Sequence, residues 1–236
     1  MTQVSLNKFI ASSGLCSRRQ ADRLIKEGKV KINGILAKPI DKVTSSDKVI
    51  VEGKEIKPEL KKIYLAFNKP VGVICTTDKN SRDNIMSFIK IPERIFPIGR
   101  LDVNSSGLIL LTNDGDFANN VLKSKTVEKE YEVEIDREVT QDFLRNLEIG
   151  MKIDGYPTLP AKTKKLTNRT FSMIIREGRK RQIRRMCDRL KANVVKLQRI
   201  RVGVVTLDNL KEKEYRTIPE EQIKKMEGLW EKNFGG

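Results

Sequence analysis

Asp102 stands directly after Gly99-Arg100-Leu101 and just before the small-residue turn Asn104-Ser105-Ser106-Gly107, and the apolar run Leu108-Ile109-Leu110-Leu111 follows. The chain of 236 residues contains no histidine. Any chemistry it performs therefore runs without the commonest general base. A lone carboxylate on a tight loop, between a basic residue and a buried strand, is then the leading candidate nucleophile. Carboxylates do act as nucleophiles at sugar carbons. The competing reading of Asp102 is a turn-former capping residues 105–107, and the loop alone does not separate the two.

Two further stretches carry chemistry. In Glu128-Lys129-Glu130-Tyr131-Glu132-Val133-Glu134-Ile135, alternation puts Tyr131, Val133 and Ile135 on one face of a strand. Tyr131 is one of four tyrosines and sits among charges on an otherwise inward face, with an ordinary core tyrosine as the plain alternative. In Ile174-Ile175-Arg176-Glu177-Gly178-Arg179-Lys180-Arg181-Gln182-Ile183-Arg184-Arg185-Met186-Cys187 a strand gives way to a glycine turn and a helix. Ile183, Met186, Cys187 and Leu190 form that helix's apolar face. Arg179, Lys180, Arg181 and Arg185 read as phosphate contacts, against the alternative of a solvated basic helix.

Composition says what such residues meet. Lys and Arg number 47 against 31 Asp and Glu, a formal net charge of +16 with a pI near 9.8. That excess points to a polyanion, most often nucleic acid. Hydrophobic residues make up 38 %, enough for a core, and the length suits one medium domain plus a small one. No apolar run approaches the roughly 20 residues of a membrane span, and the first residues lack a signal-peptide core; a cytoplasmic location is expected. Cys16, Cys75 and Cys187 form no CxxC pair, so all three are expected as buried or half-buried thiols. Neither a metal cluster nor a phosphate-binding glycine loop is evident, so no metal and no cofactor is expected.

The elements that must position these groups fall into two modules. In the first, Leu6, Phe9, Ile10 and Leu15 have helical spacing, Gly14 ends that helix, and Ser17 caps a second helix containing Ala21, Leu24 and Ile25. Strands follow at residues 29–34 and 47–53, with Asn33-Gly34 as a hairpin turn. Lys8, Arg18, Arg19 and Arg23 crowd the second helix. Arg18-Arg19 sit in its first turn, where the helix dipole disfavours a cation, a conflict that makes sense against a phosphate backbone. A polar linker with Pro58 spans residues 58–62. In the second module, residues 63–67 form a buried strand, broken by Asn68-Lys69-Pro70-Val71-Gly72; residues 73–76 resume it and residues 85–89 start a short helix.

Leu6-Asn7-Lys8-Phe9-Ile10, Gly14, Cys16-Ser17-Arg18-Arg19, Ala21-Asp22, Gly28 and Asn33-Gly34 resemble an S4 RNA-binding domain. Asn68-Lys69-Pro70, Gly99-Arg100-Leu101-Asp102, Ser106-Gly107-Leu108 and Thr112-Asn113-Asp114-Gly115 in order behind it resemble an rRNA pseudouridine synthase of the branch that carries an N-terminal S4 domain. The likeness covers about residues 5–226 and is greatest to the F-type synthase of 23S rRNA.

The resemblance implies an α+β chain: an S4 domain over residues 1–57, the linker, and a catalytic domain over 63–236. The catalytic domain is implied to be a mixed, mainly antiparallel sheet with flanking helices. It implies an isomerase that detaches a uracil within RNA and rejoins it through C5. Asp102 is then the catalytic aspartate, attacking C1′ or removing the C2′ proton. Tyr131 is the active-site tyrosine that stacks on the extruded base, and Arg184 the arginine that ion-pairs with Asp102. Leu197 packs near the base, and Lys69 and Arg100 join the RNA contacts. Structured RNA is the implied partner: a hairpin loop of 23S rRNA first, with 16S rRNA or tRNA as alternatives, and the chain a monomer. The rival class is a non-catalytic rRNA-binding assembly factor that keeps the fold without the chemistry.

Overall fold

The structure is a computed structural model that describes residues 3–58, 61–78 and 80–231. The chain forms two compact units. One runs to Ile63 and takes in Ile91–Phe96 and Thr112–Gly115; the other comprises Tyr64–Lys90, Pro97–Leu111 and the chain from Asp116 on. Glu59 and Leu60 of the expected linker lie outside the described residues.

The first unit contains β1 (Val4–Ser5), α1 (Leu6–Ser12), α2 (Arg18–Lys26), β2 (Val30–Ile32), β3 (Ile35–Leu36), β4 (Lys42–Val43), β5 (Val49–Val51) and β6 (Lys54–Ile56). Its strands form an antiparallel pair β1–β4 and a four-stranded antiparallel sheet in the order β3-β2-β5-β6. Leu6, Phe9, Ile10, Leu24, Ile25 and Val49 lie at the centre of its core. Ser17 caps α2 by accepting from the Gln20 N–H at 3.2 Å. Asn33 and Gly34 have φ of 50° and 87°, the doubly left-handed pair that a tight hairpin turn requires. Leu15 does not belong to α1, contrary to its helical spacing from Leu6, Phe9 and Ile10. The helix stops at Ser12, and Leu15 is half exposed in the turn beyond it.

The second unit is built on one sheet. Its elements are β7 (Tyr64–Lys69), β8 (Phe96–Pro97), β9 (Ser106–Thr112), α3 (Gly115–Lys123), β10 (Lys129–Ile135), α4 (Gln141–Ile149), β11 (Lys152–Ile153), β12 (Tyr156–Pro157), β13 (Lys162–Lys165), β14 (Thr170–Ile175), α5 (Gln182–Arg189), β15 (Val194–Val202), β16 (Val205–Thr206), β17 (Tyr215–Thr217) and α6 (Glu220–Glu231). The order is β13-β14-β10-β15-β9-β7-β17, with β16 on β15 and β8 on β9. The β13–β14, β14–β10, β10–β15, β15–β16 and β7–β17 pairs are antiparallel; β15–β9 is parallel. The fold is thus α+β on a mixed, mainly antiparallel sheet.

Sequence pattern explains the placement. β9, Ser106-Gly107-Leu108-Ile109-Leu110-Leu111-Thr112, is buried at every residue, as an uninterrupted apolar run demands of a strand covered on both faces. β10 alternates, burying Lys129, Tyr131, Val133 and Ile135. Helices α3, α4 and α5 bury Phe117, Phe143 and Met186 among other residues, and Phe143 meets Phe171 of β14 edge-on at 5.7 Å.

Two expectations change. β7 continues through Asn68 and Lys69, both buried, before the turn at Gly72. Residues 73–76 do not resume a strand: only Ile74 bridges, to Asn84, and the following helix is a single 3₁₀ turn, Ile85–Phe88, capped by the Asn84 side chain at 2.9 Å.

Candidate active site

A pocket of about 620 Å³ in the second unit collects several of the side chains expected at the site. Asp102, Tyr131, Leu197, Arg199, Lys129 and Arg100 all line it. Three separate segments supply them: the loop entering β9, strand β10 and strand β15.

The Asp102 loop is held from several sides. The Ser105 N–H donates to the Asp102 carbonyl at 3.0 Å, closing a β-turn, and the Gly72 N–H donates to the Val103 carbonyl at 2.9 Å. The Leu101 N–H donates to the Cys75 thiol at 3.4 Å. Arg184 reaches in from α5, donating to the Asn104 carbonyl at 2.6 Å and the Ser105 hydroxyl at 3.4 Å. Its other terminal nitrogen donates to the Val194 carbonyl at 3.0 Å. Its Nε, also buried, has no partner among the described residues.

Arg184 therefore does not form the expected ion pair with Asp102. Its guanidinium is committed to carbonyls, so it clamps the loop that carries the carboxylate rather than the carboxylate itself. Burial lowers its pKa, Arg181 acts in the same sense, and Asp102 partly opposes both.

A different arginine enters the pocket. Arg199 is buried, donates from Nε to the Leu108 carbonyl at 2.7 Å, and brings Nη1 to 3.5 Å from the Tyr131 hydroxyl. Its guanidinium carbon lies 6.0 Å from the centre of the Tyr131 ring, at the outer range of a cation–π contact.

Two backbone devices place it there. Glu130 pairs with Arg201 but Tyr131 pairs with Arg199, so Ile200 is a bulge. The bulge re-aims β15, and Arg199 and Leu197 share a face with Tyr131 and Val133. Arg201 turns the other way, to Glu130 at 2.8 Å and Glu128 at 3.3 Å. The second device is Gly107, opposite Arg199 in the parallel pair. A Cβ at Gly107 would sit 2.2 Å from the Arg199 carbonyl oxygen and 2.7 Å from its nitrogen, and φ is +102°. Only glycine permits this approach of β9 to β15.

The expected RNA contacts divide. Arg18, Arg19 and Arg23 are exposed along α2, and Lys8 is half-buried on α1. Arg100, Lys180 and Arg181 are exposed and line the second unit's pocket. Lys69 is not a surface cation: it is fully buried and donates to the Pro70 and Val73 carbonyls at 2.8 and 2.9 Å. Burial lowers its pKa, while Cys75 and Asp102 act in the opposite sense. Arg179 spends its nitrogens on Glu177 at 3.2 Å and on the Tyr156 and Pro157 carbonyls at 3.1 and 2.5 Å. Arg185 forks onto Asp154, with Nη1 to Oδ2 at 2.8 Å. These three hold the fold together where the sequence reading assigned them to phosphates.

Cys75 and Cys187 are buried thiols, Cys16 a half-buried one, and burial pushes Cys187 up to about 12. Among the described residues no group of three or more His, Cys, Asp or Glu side chains is placed to hold a metal ion.

The RNA pseudouridylate synthase family profile matches residues 63–189, and the S4-domain profile matches residues 4–49. The chain belongs to the RNA pseudouridine synthases that carry an N-terminal S4 domain, and is an isomerase that acts on RNA. Among individual proteins, it is 43 % identical over 225 residues to the dual-specificity RNA pseudouridine synthase RluF of Salmonella typhi, covering 94 % of this chain and 78 % of that one. It is 39 % identical over 234 residues to the ribosomal large subunit pseudouridine synthase B of Bacillus subtilis, covering 95 % and 96 %. A solved structure described as a pseudouridylate synthase superposes with a TM-score of 0.71 at 33 % identity, covering 94 % of this chain and 99 % of that one.

Proposed function

We propose that this isomerase converts a uridine in a structured region of ribosomal RNA, first of all 23S rRNA, to pseudouridine, with Asp102 as the carboxylate that acts on the ribose. The observation that carries the reading is the convergence of Asp102, Tyr131 and Arg199 in one pocket. The large-subunit target is supported by the name of one relative, a ribosomal large subunit pseudouridine synthase 39 % identical over 234 residues.

The uridine leaves its stack and enters the pocket, at a cost of a few kcal/mol that is smallest in a loop or bulge. Tyr131 stacks on the base and Leu197 packs beside it. The Asp102 carboxylate either bonds to C1′ or takes the C2′ proton. By either route the C1′–N1 bond breaks and its electron pair leaves with the base. The base rotates and C5 bonds to C1′, which releases the Asp102 carboxylate from C1′ on the first route or takes the proton back from it onto C2′ on the second; the C5 proton departs and N1 gains one, so atoms and charge balance with no redox partner.

Arg199 holds Tyr131 from β15, and Arg184 clamps the loop that carries Asp102. Arg100, Lys180 and Arg181 take the flanking phosphates. Residues 1–57 act as the docking module through Arg18, Arg19 and Arg23, joined by residues 58–62 to the catalytic residues 63–236. Work as a monomer in the cytoplasm belongs to the same reading. No helix among the described residues is long and apolar enough to cross a membrane.

The test is tritium release from RNA labelled at uridine C5, because forming the new carbon–carbon bond expels that hydrogen. 23S rRNA, 16S rRNA and bulk tRNA from cells lacking the protein are compared, with wild type and Asp102→Asn in parallel. Release from 23S rRNA by wild type alone is expected. Release from 16S rRNA or tRNA alone moves the target. Binding without release from any of them supports the assembly-factor class instead.

A further inference from the structure

Lys129 takes no part in the chemistry above, yet it lines the same pocket. It is the first residue of β10 and shares a face with Tyr131, two residues on. It is only 7 % exposed. Its cross-strand neighbours are Ile175 on β14 and Val202 on β15, both apolar. Among the described residues its one hydrogen bond is to the Val127 carbonyl at 3.5 Å, at the outer limit for such a bond.

A buried ammonium is stable when a carboxylate accompanies it. None accompanies this one among the described residues. The neighbouring carboxylates of its own segment, Glu128 and Glu130, are taken by Arg201, with Lys162 and Arg176 also on Glu128. The pocket's other charged groups are Arg199 from β15, Arg100 and Asp102 from the loop before β9, and Arg179, Lys180 and Arg181 from the turn before α5. Among the described residues Asp102 is the one carboxylate that lines that pocket, against several cations.

Such a site holds a cation in waiting for an anion. Two anions come with a nucleotide: the phosphate, present throughout, and the detached base, which exists only after the C1′–N1 bond has broken. In the proposed function the exposed Arg100, Lys180 and Arg181 take the phosphates. Lys129 instead lies buried on the strand face that presents the stacking ring.

We infer that Lys129 is a catalytic residue that stabilises the detached uracil anion, donating from its ammonium to a carbonyl oxygen of the base while the base is free of the ribose. The inference rests on the isomerase reading of Asp102 and Tyr131. When the C1′–N1 pair enters the ring, its charge spreads onto the carbonyl oxygens, and Lys129 meets that charge without giving up its proton. The charge is withdrawn again when C5 bonds to C1′, the C5 proton leaves and N1 is protonated. Preorganised donors aimed at developing charge are the strongest single catalytic device known in enzymes.

The same burial, with Arg199 adding repulsion, lowers the Lys129 pKa to about 8. This supplies a distinctive readout. The experiment measures kcat and KM by tritium release from 23S rRNA, on the full chain, for wild type, Lys129→Met and Lys129→Arg, from pH 6.5 to 9.5. Lys129→Met is expected to lower kcat about a hundredfold with KM held and a melting temperature no lower than wild type at pH 7. Lys129→Arg is expected to restore most of kcat and to abolish the fall in wild-type kcat above about pH 8, because a guanidinium stays charged.

A Lys129→Met variant that raises KM alone would make Lys129 a phosphate contact and overturn the inference. So would a wild-type kcat in that variant, or a loss of kcat that tracks a lowered melting temperature and is not restored by arginine. Wild type that releases no tritium from any RNA would instead bring down the isomerase reading itself, and the inference with it.

Discussion

At the scale of single residues, the two arginines around Asp102 differ in kind. Arg199 is buried beside Tyr131, whereas Arg184 grips the carbonyl of Asn104 and the hydroxyl of Ser105. Arg199→Lys keeps the charge but loses the planar fork; it is expected to cut turnover by about a hundredfold with RNA affinity unchanged, as read by single-turnover tritium release. Arg184→Lys, by contrast, is expected to lower the melting temperature together with activity. Equal melting temperatures for the two variants would contradict the division of labour. That Asp102 and Tyr131 share a pocket was legible through the resemblance that their short local motifs carry. Arg199 was not. In Gln198-Arg199-Ile200-Arg201 plain alternation assigns both arginines to one face, and only the bulge at Ile200 separates them.

At the scale of elements, Gly107 is the tightest constraint. A methyl group there meets the Arg199 backbone at 2.2 Å, so Gly107→Ala forces β9 and β15 apart. An unfolding free energy lower by about 3 kcal/mol or more, with loss of turnover, is expected by urea denaturation. A Gly107→Ala protein of wild-type stability would show that the strands have slack. Much of the element plan was visible beforehand: the Ser17 cap, the Asn33-Gly34 turn, the alternation of β10 and the buried run of β9 all announce themselves within a few residues. The ends of β7 and the path of residues 73–76 did not. Lys69 reads as a surface cation until Pro70 and Val73 are seen to supply carbonyls for it, and that information lies in the turn's three-dimensional course. Arg179 and Arg185 misled for the same reason, since Glu177, with the Tyr156 and Pro157 carbonyls, and Asp154 reach them only in the folded chain.

At the scale of the whole molecule, charge governs both stability and binding. The folded Lys129 titrates at about 8 against 10.5 for the free side chain. Between those values the unfolded chain binds more protons than the folded one. Wild-type stability relative to Lys129→Met should therefore rise by about 3 kcal/mol from pH 8 to pH 10.5, as measured by denaturant titration. A flat difference would mean that the ammonium is better solvated than its burial implies. Replacing Arg18, Arg19 and Arg23 together by alanine should weaken RNA binding and flatten the slope of log affinity against log salt by about 2, at roughly 0.7 per phosphate contact; an unchanged slope would remove α2 from the interface. The parallel join of β15 to β9 spans only Gln198↔Ser106 and Arg199↔Gly107, and it alone carries the sheet from the strands that hold Tyr131 to the strand that the Asp102 loop enters. The pocket thus straddles a seam between two halves of one sheet. Amide hydrogens along this narrow join should exchange in step with loss of turnover as denaturant is added, making the enzyme its own reporter of local opening.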